Sequence, residues 1–110
     1  MKIYLGGPMR GRTEFPDFHD AAKDLRAQGH EVFNPPEKKE EVRTGLPDPT
    51  LGFLRVAFAL DTAWICKEAD MVALLPGWSL SKGACAEKAL AEAIGLRVVY
   101  MFFDAGVWTF

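Results

Sequence analysis

Histidine and cysteine are scarce in this chain of 110 residues, which holds only His19, His30, Cys66 and Cys85. The cysteines form no CxxC pair and the histidines have no ligand-like spacing. Neither a zinc site nor a disulfide framework is therefore expected to organise the fold, and no metal or cofactor is expected. A basic surplus is also missing: 13 Lys and Arg stand against 15 Asp and Glu, a formal net charge of -2. A nucleic-acid polymer asks for enough positive charge to displace many counterions, so it is not an expected partner. A free nucleotide asks for only one or two local cations and stays open. No segment approaches the ~18 apolar residues of a membrane span, and the apolar run in Met1–Leu5 is too short for a signal peptide. A cytoplasmic protein with no membrane partner is the expectation.

What is present is apolar material, 49% of the residues, in a length that suits one domain over 1–110. Residues 2–6 read as a strand that breaks into Gly6-Gly7-Pro8-Met9-Arg10-Gly11. Pro16 suits a first helical position, and Phe18, Ala21, Ala22 and Leu25 recur at helical spacing until Gly29. Residues 31–34 form a short strand ended by Pro35-Pro36. Over 37–50 the pattern is lost, and so long an irregular stretch suggests a lid or binding loop. A helix from Leu51 to about Ala69, a buried strand over 70–75, a loop over 76–80, a helix from Ser81 to Gly95 and a strand over 97–103 complete the chain. This alternation implies parallel strands with right-handed crossovers. The predicted fold is α/β and doubly wound, Rossmann- or flavodoxin-like, with four strands in the order 2-1-3-4. Ligands of such sheets bind beyond the carboxyl ends of the strands where the order reverses.

Two acids fall where a core is expected. At about 100° per residue, Ala84, Leu90, Ala91 and Ile94 form the apolar stripe of the last helix, with Glu87 in its middle. In the preceding helix, Asp61 lies among Leu54, Ala57, Phe58 and Ile65. A buried carboxylate without a partner costs several kcal/mol, so two of them on neighbouring helices suggest a task. The plainer alternative for Glu87 is a partly exposed acid favoured by the helix dipole. Paired carboxylates are what a retaining glycosidase uses, one as nucleophile and one to handle the proton of the leaving group.

Anion contacts are expected from the first loop and from the start of the last helix. The loop is neither GxGxxG nor a Walker sequence, and a plain strand-to-helix turn is its alternative reading. Within it, Gly7, Met9 and Gly11 are expected against substrate, with Arg10 able to fork onto a phosphate. Ser81, with Gly83, offers a helix N-terminus, a role compatible with ordinary capping. Trp78 is the better candidate to stack on a base, and Trp64 suits the core.

Taken together, Ile3-Tyr4-Leu5-Gly6-Gly7-Pro8-Met9-Arg10-Gly11, Asp61 with Trp64, Ala69-Asp70 and Ser81-Lys82-Gly83-Ala84-Cys85-Ala86-Glu87 resemble the nucleoside 2-deoxyribosyltransferase superfamily. The closer likeness is to its small deoxynucleoside 5′-monophosphate N-glycosidases and to short phage and bacterial relatives. The resemblance implies an enzyme that hydrolyses the N-glycosidic bond of a (deoxy)nucleoside 5′-monophosphate. It implies Glu87 as nucleophile, Asp61 as the acid assisting the base, Tyr4 as the residue orienting the nucleophile, and Ser81 and Arg10 at the phosphate. It also implies a homodimer or higher homo-oligomer. Transfer of the sugar between bases, a phosphoribohydrolase and a non-catalytic nucleotide-binding module are the alternatives. Three departures stand out: Ala89 where the family has Gly, a spacing from Asp61 to Glu87 one residue longer than in the hydrolases, and no C-terminal match in Asp104–Phe110. The aromatic tail Val107–Phe110 is expected to pack across a dimer interface.

Overall fold

The computed structural model describes residues 1–38 and 51–110, with the backbone alone over 51–53. Strands β1 (Lys2–Gly6) and β3 (Met71–Leu74) lie at the centre of a sheet, flanked by β2 (Glu31–Phe33) and β4 (Arg97–Tyr100). All pairings are parallel and the order is β2-β1-β3-β4, so the α/β doubly wound sheet expected from the sequence is the one observed. The two central strands read as nearly unbroken apolar runs because helices cover both faces, which removes the polar alternation of a half-exposed strand.

Alternation along β1 divides its side chains between two cores. Ile3 and Leu5 pack with Phe18, Ala21, Ala22 and Leu25 of helix α1 (Pro16–Ala27). Tyr4 points to the opposite face, where helices α2 (Leu51–Lys67) and α3 (Lys82–Ala93) contribute Ile65, Ala84 and Ala91. Helix α1 opens on Pro16, whose missing N–H costs nothing at a first helical position. Both α1 and α3 end the same way: Gly29 and Gly95 take φ of 92° and 81°, and the N–H groups of His30 and Leu96 return to Leu25 O and Ala91 O.

Three expectations are corrected. Pro35 and Pro36 do not merely stop a strand, because residues 35–38 are helical; the rest of the irregular stretch expected over 37–50 lies outside the described residues. Ile94 is 46% exposed and falls off the buried stripe of α3. The final strand ends at Tyr100 rather than at 103. Strand β5 (Phe102–Asp104) then pairs antiparallel with β6 (Val107–Thr109). The chain reverses at Ala105-Gly106, both at positive φ, as the favoured two-residue hairpin turn requires. This hairpin settles on the α1 face: Trp108 and Phe110 pack against that core, and Trp108 N–H donates to Asp24 Oδ2 at 2.9 Å. Trp108 and Phe110 are thus half-buried against their own chain, while Val107 stays 44% exposed. No helix among the described residues is long and apolar enough to cross a membrane.

Candidate active site

Past the carboxyl ends of β1 and β3, where the strand order reverses, lies a cavity of about 700 Å³. Three elements put oxygens at its floor. Tyr4, in the middle of β1, is buried and directs its hydroxyl away from the α1 core. Glu87, one turn into α3 between Ala84 and Ala91, is only 5% exposed. The Tyr4 hydroxyl donates a hydrogen bond to Glu87 Oε2. Asp61, half-buried on α2, lines the same cavity, and its carboxylate interacts with that hydroxyl as well. Gly6 makes the meeting possible: a Cβ there would come within 2.9 Å of Leu74 Cδ2 and 3.4 Å of Glu87 Oε1.

Burial dominates the electrostatics. It raises the Glu87 carboxyl to about 8, with the Asp61 charge adding to the rise and the Tyr4 hydrogen bond opposing it. It raises Asp61 to about 6, again against the pull of Tyr4. Tyr4 is driven well above its ordinary value, first by burial and then by the two neighbouring carboxylates, so it stays a donor. Near neutral pH the two acids together hold one proton.

The rim is cationic on one side and apolar on the other. Gly7, Met9, Arg10 and Gly11 line it from the first loop, and Ser81, Lys82 and Gly83 from the start of α3. Ser81 Oγ accepts the Ala84 N–H at 3.2 Å, the ordinary cap. Among the described residues this leaves the N–H groups of Lys82 and Gly83 without a protein acceptor, a favourable setting for an anion. Packing does not demand glycine at 83, since a Cβ would meet only Ser81 Oγ at 4.0 Å. Arg10 and Lys82 form no ion pair among the described residues, which leaves their charge for a ligand.

Nine of the ten residues singled out from the sequence, all but Trp78, therefore share one cavity. Trp78 is the correction. The 3-10 turn Trp78–Leu80 swings its ring onto Tyr100, with centroids 5.5 Å apart and Lys88 Nζ 5.7 Å from its own centroid, and it does not line the cavity. Leu80, 91% exposed, stands at the rim instead. Trp64 packs on Phe33, with ring centroids 5.2 Å apart. Leu54 and Phe58 are not core residues around Asp61; they are 46% and 38% exposed and form the apolar wall of the cavity. Sequence reasoning also missed Pro35, Lys38, Leu80 and Lys82 on the wall, and only Lys82, beside the Ser81 cap, carried a signal that could have marked it. Ala89, one of the departures noted above, is exposed, so its methyl group meets no packing demand.

A family model described as a domain of unknown function (DUF4406) matches residues 1–100. The chain belongs to that family. The DUF4406 match runs from β1 to the end of β4, so it takes in every residue of the cavity and leaves the C-terminal hairpin outside. No curated protein and no solved structure matches the chain. Among the described residues, no group of His, Cys, Asp and Glu side chains is arranged to hold a metal ion, and both cysteines are free and exposed.

Proposed function

We propose that this protein hydrolyses the N-glycosidic bond of a (deoxy)nucleoside 5′-monophosphate. The observation that carries the reading is the meeting of Glu87, Asp61 and the Tyr4 hydroxyl at the floor of a cavity whose rim bears Arg10 and Lys82. The resemblance of the Ser81–Glu87 segment and the first loop to the monophosphate N-glycosidases supports the same chemistry.

In this reading the 5′-phosphate lies toward Arg10, Lys82 and the first turn of α3, and the base lies along the apolar wall of Leu54, Phe58 and Leu80. Glu87 attacks C1′ as the bond from C1′ to the base nitrogen breaks, and Asp61 gives its proton to the departing base. Water then attacks C1′, passes a proton to Asp61 and releases the Glu87 carboxylate. Burial favours the resting proton on Glu87, whereas the Tyr4 hydrogen bond favours charge there. The positive character that develops on the sugar in the transition state favours the arrangement in which the shared proton sits on Asp61 and Glu87 is ionised, and Asp61 then passes that proton to the base.

The test is a screen of 2′-deoxynucleoside and ribonucleoside 5′-monophosphates, including modified bases, for release of free base. Glu87→Ala should lose activity by roughly 10³-fold or more while remaining folded. Equal base release by that variant sinks the assignment. A product that forms only when a second free base is added would turn the hydrolase into a transferase.

A further inference from the structure

Arg12 follows the loop residues that line the cavity, yet it is not itself part of the wall. Its guanidinium bonds instead within the loop and to α1. Nη1 donates to Pro8 O at 2.8 Å, Nη2 donates to Asp17 Oδ1 at 2.7 Å, and Nη1 also reaches Asp17 Oδ2 at 3.3 Å. The same group stacks over the Phe15 ring, 5.1 Å from its centroid. Its backbone N–H closes a turn onto Met9 O at 3.1 Å, with Gly11 at φ 79° inside that turn and Arg10 at its tip.

The carbonyl and N–H of one trans peptide point in opposite directions. Holding Pro8 O against Arg12, which does not line the cavity, therefore turns the Met9 N–H away from Arg12, and Pro8, Met9 and Arg10 all line the cavity. We propose that Arg12 is a positioning residue that presents the Met9 N–H, beside the Arg10 side chain, to the anionic group of the ligand. The class of ligand, a 5′-phosphate ester, rests on the reading given above; the brace rests on the geometry of the loop. Asp17, in the first turn of α1, orients the guanidinium, so loop and helix are tied by one fork. Lysine lacks that fork and cannot make all three bonds.

The experiment uses the full chain carrying Glu87→Gln, so that bound nucleotide is not turned over, with and without Arg12→Gln, Arg12→Lys or Asp17→Asn. Calorimetry gives the affinity for the four common 2′-deoxynucleoside 5′-monophosphates and for their nucleosides, and amide NMR follows Met9. A hydrogen bond to a charged acceptor is worth enough that Arg12→Gln should weaken monophosphate binding about tenfold or more. Nucleoside affinity should change by less than about twofold on the same scale. The Met9 amide proton should move downfield on saturation with monophosphate, and Arg12→Gln should abolish that movement while Arg12→Lys restores part of it. Equal losses for nucleotides and nucleosides, or a Met9 amide that responds identically in the Arg12→Gln variant, overturn the proposal. A parent chain that binds no monophosphate at all instead removes the nucleotide reading, and the anion role of the loop with it.

Discussion

Glu87 is the residue at which function and stability pull apart. Its carboxyl sits at about 8 in the folded protein, against 4.5 for a free side chain, because burial penalises the charge. Between those two values the native state holds a proton that the unfolded chain has released, so stability falls as pH rises through that window. Asp61, raised to about 6, adds a smaller loss of the same sign at the lower end. Glu87→Gln keeps an acceptor for the Tyr4 hydroxyl and cannot ionise. Its melting temperature should exceed that of the parent by about 5 °C or more at pH 9, and the gap should close toward pH 5. A gap independent of pH would mean that folding does not raise the Glu87 carboxyl above its free value. Activity should show the other side of the same coupling. A pair that must hold one proton gives a bell-shaped kcat/KM profile with its maximum between the two values, about 6 and about 8. The phosphate end is tested separately: Arg10→Ala and Ser81→Ala should raise KM for monophosphates by about tenfold each and for nucleosides far less.

The loop from β1 to α1 is the element on which site and core both depend. Gly7 is packed so tightly that a Cβ would lie 3.1 Å from Phe18 Cζ and 3.2 Å from Leu75 Cβ, both on fully buried side chains. Neither neighbour has room to yield, so Gly7→Ala should cost about 1–3 kcal/mol, read as a shift in denaturation midpoint, and should also move Pro8 and Arg10 relative to Glu87. The contrasting substitution is Gly83→Ala, which meets no clash and should leave the midpoint in place while lowering affinity for monophosphates. These elements were legible in the sequence to different degrees, for physical reasons. Helix α3 was readable because a Ser cap, a Gly stop and small apolar residues around one acid define its inner face. Helix α2 was not, because it is apolar on most sides, and a helical wheel cannot tell a residue facing the core from one facing a cavity. Leu54 and Phe58 were misplaced for that reason. Trp78 was misplaced because a three-residue turn sets its direction, and no periodicity reports on so short an element. The Arg12 brace was hidden because its partners, Pro8 O and Asp17, are defined by loop geometry and not by residue pattern.

At the scale of the whole molecule, the two faces of the sheet are covered in different ways. Helices α2 and α3 share one face and build the cavity, whereas α1 shares the other with the hairpin of β5 and β6. A continuous strand over 97–103 was the natural reading of an aromatic run, since the Ala105-Gly106 turn lacks the Asn or Asp that marks most such hairpins. A two-stranded hairpin has little stability of its own, so this one is held by what it touches. Trp108 contributes through its packing on the α1 core, its ring beside Phe103 and its backbone bond to Asp24. Trp108 is half-buried, which scales its removal down from the loss of a fully buried tryptophan. Trp108→Ala should therefore lower stability by about 2 kcal/mol in chemical denaturation. All cavity residues lie at or before Glu87, and those at the floor pack on the opposite face of the sheet. The same variant, assayed well below its melting temperature, should then keep the parent affinity for monophosphates. A large loss of affinity at unchanged stability would show that the hairpin reaches the site, and that the two faces do not work independently.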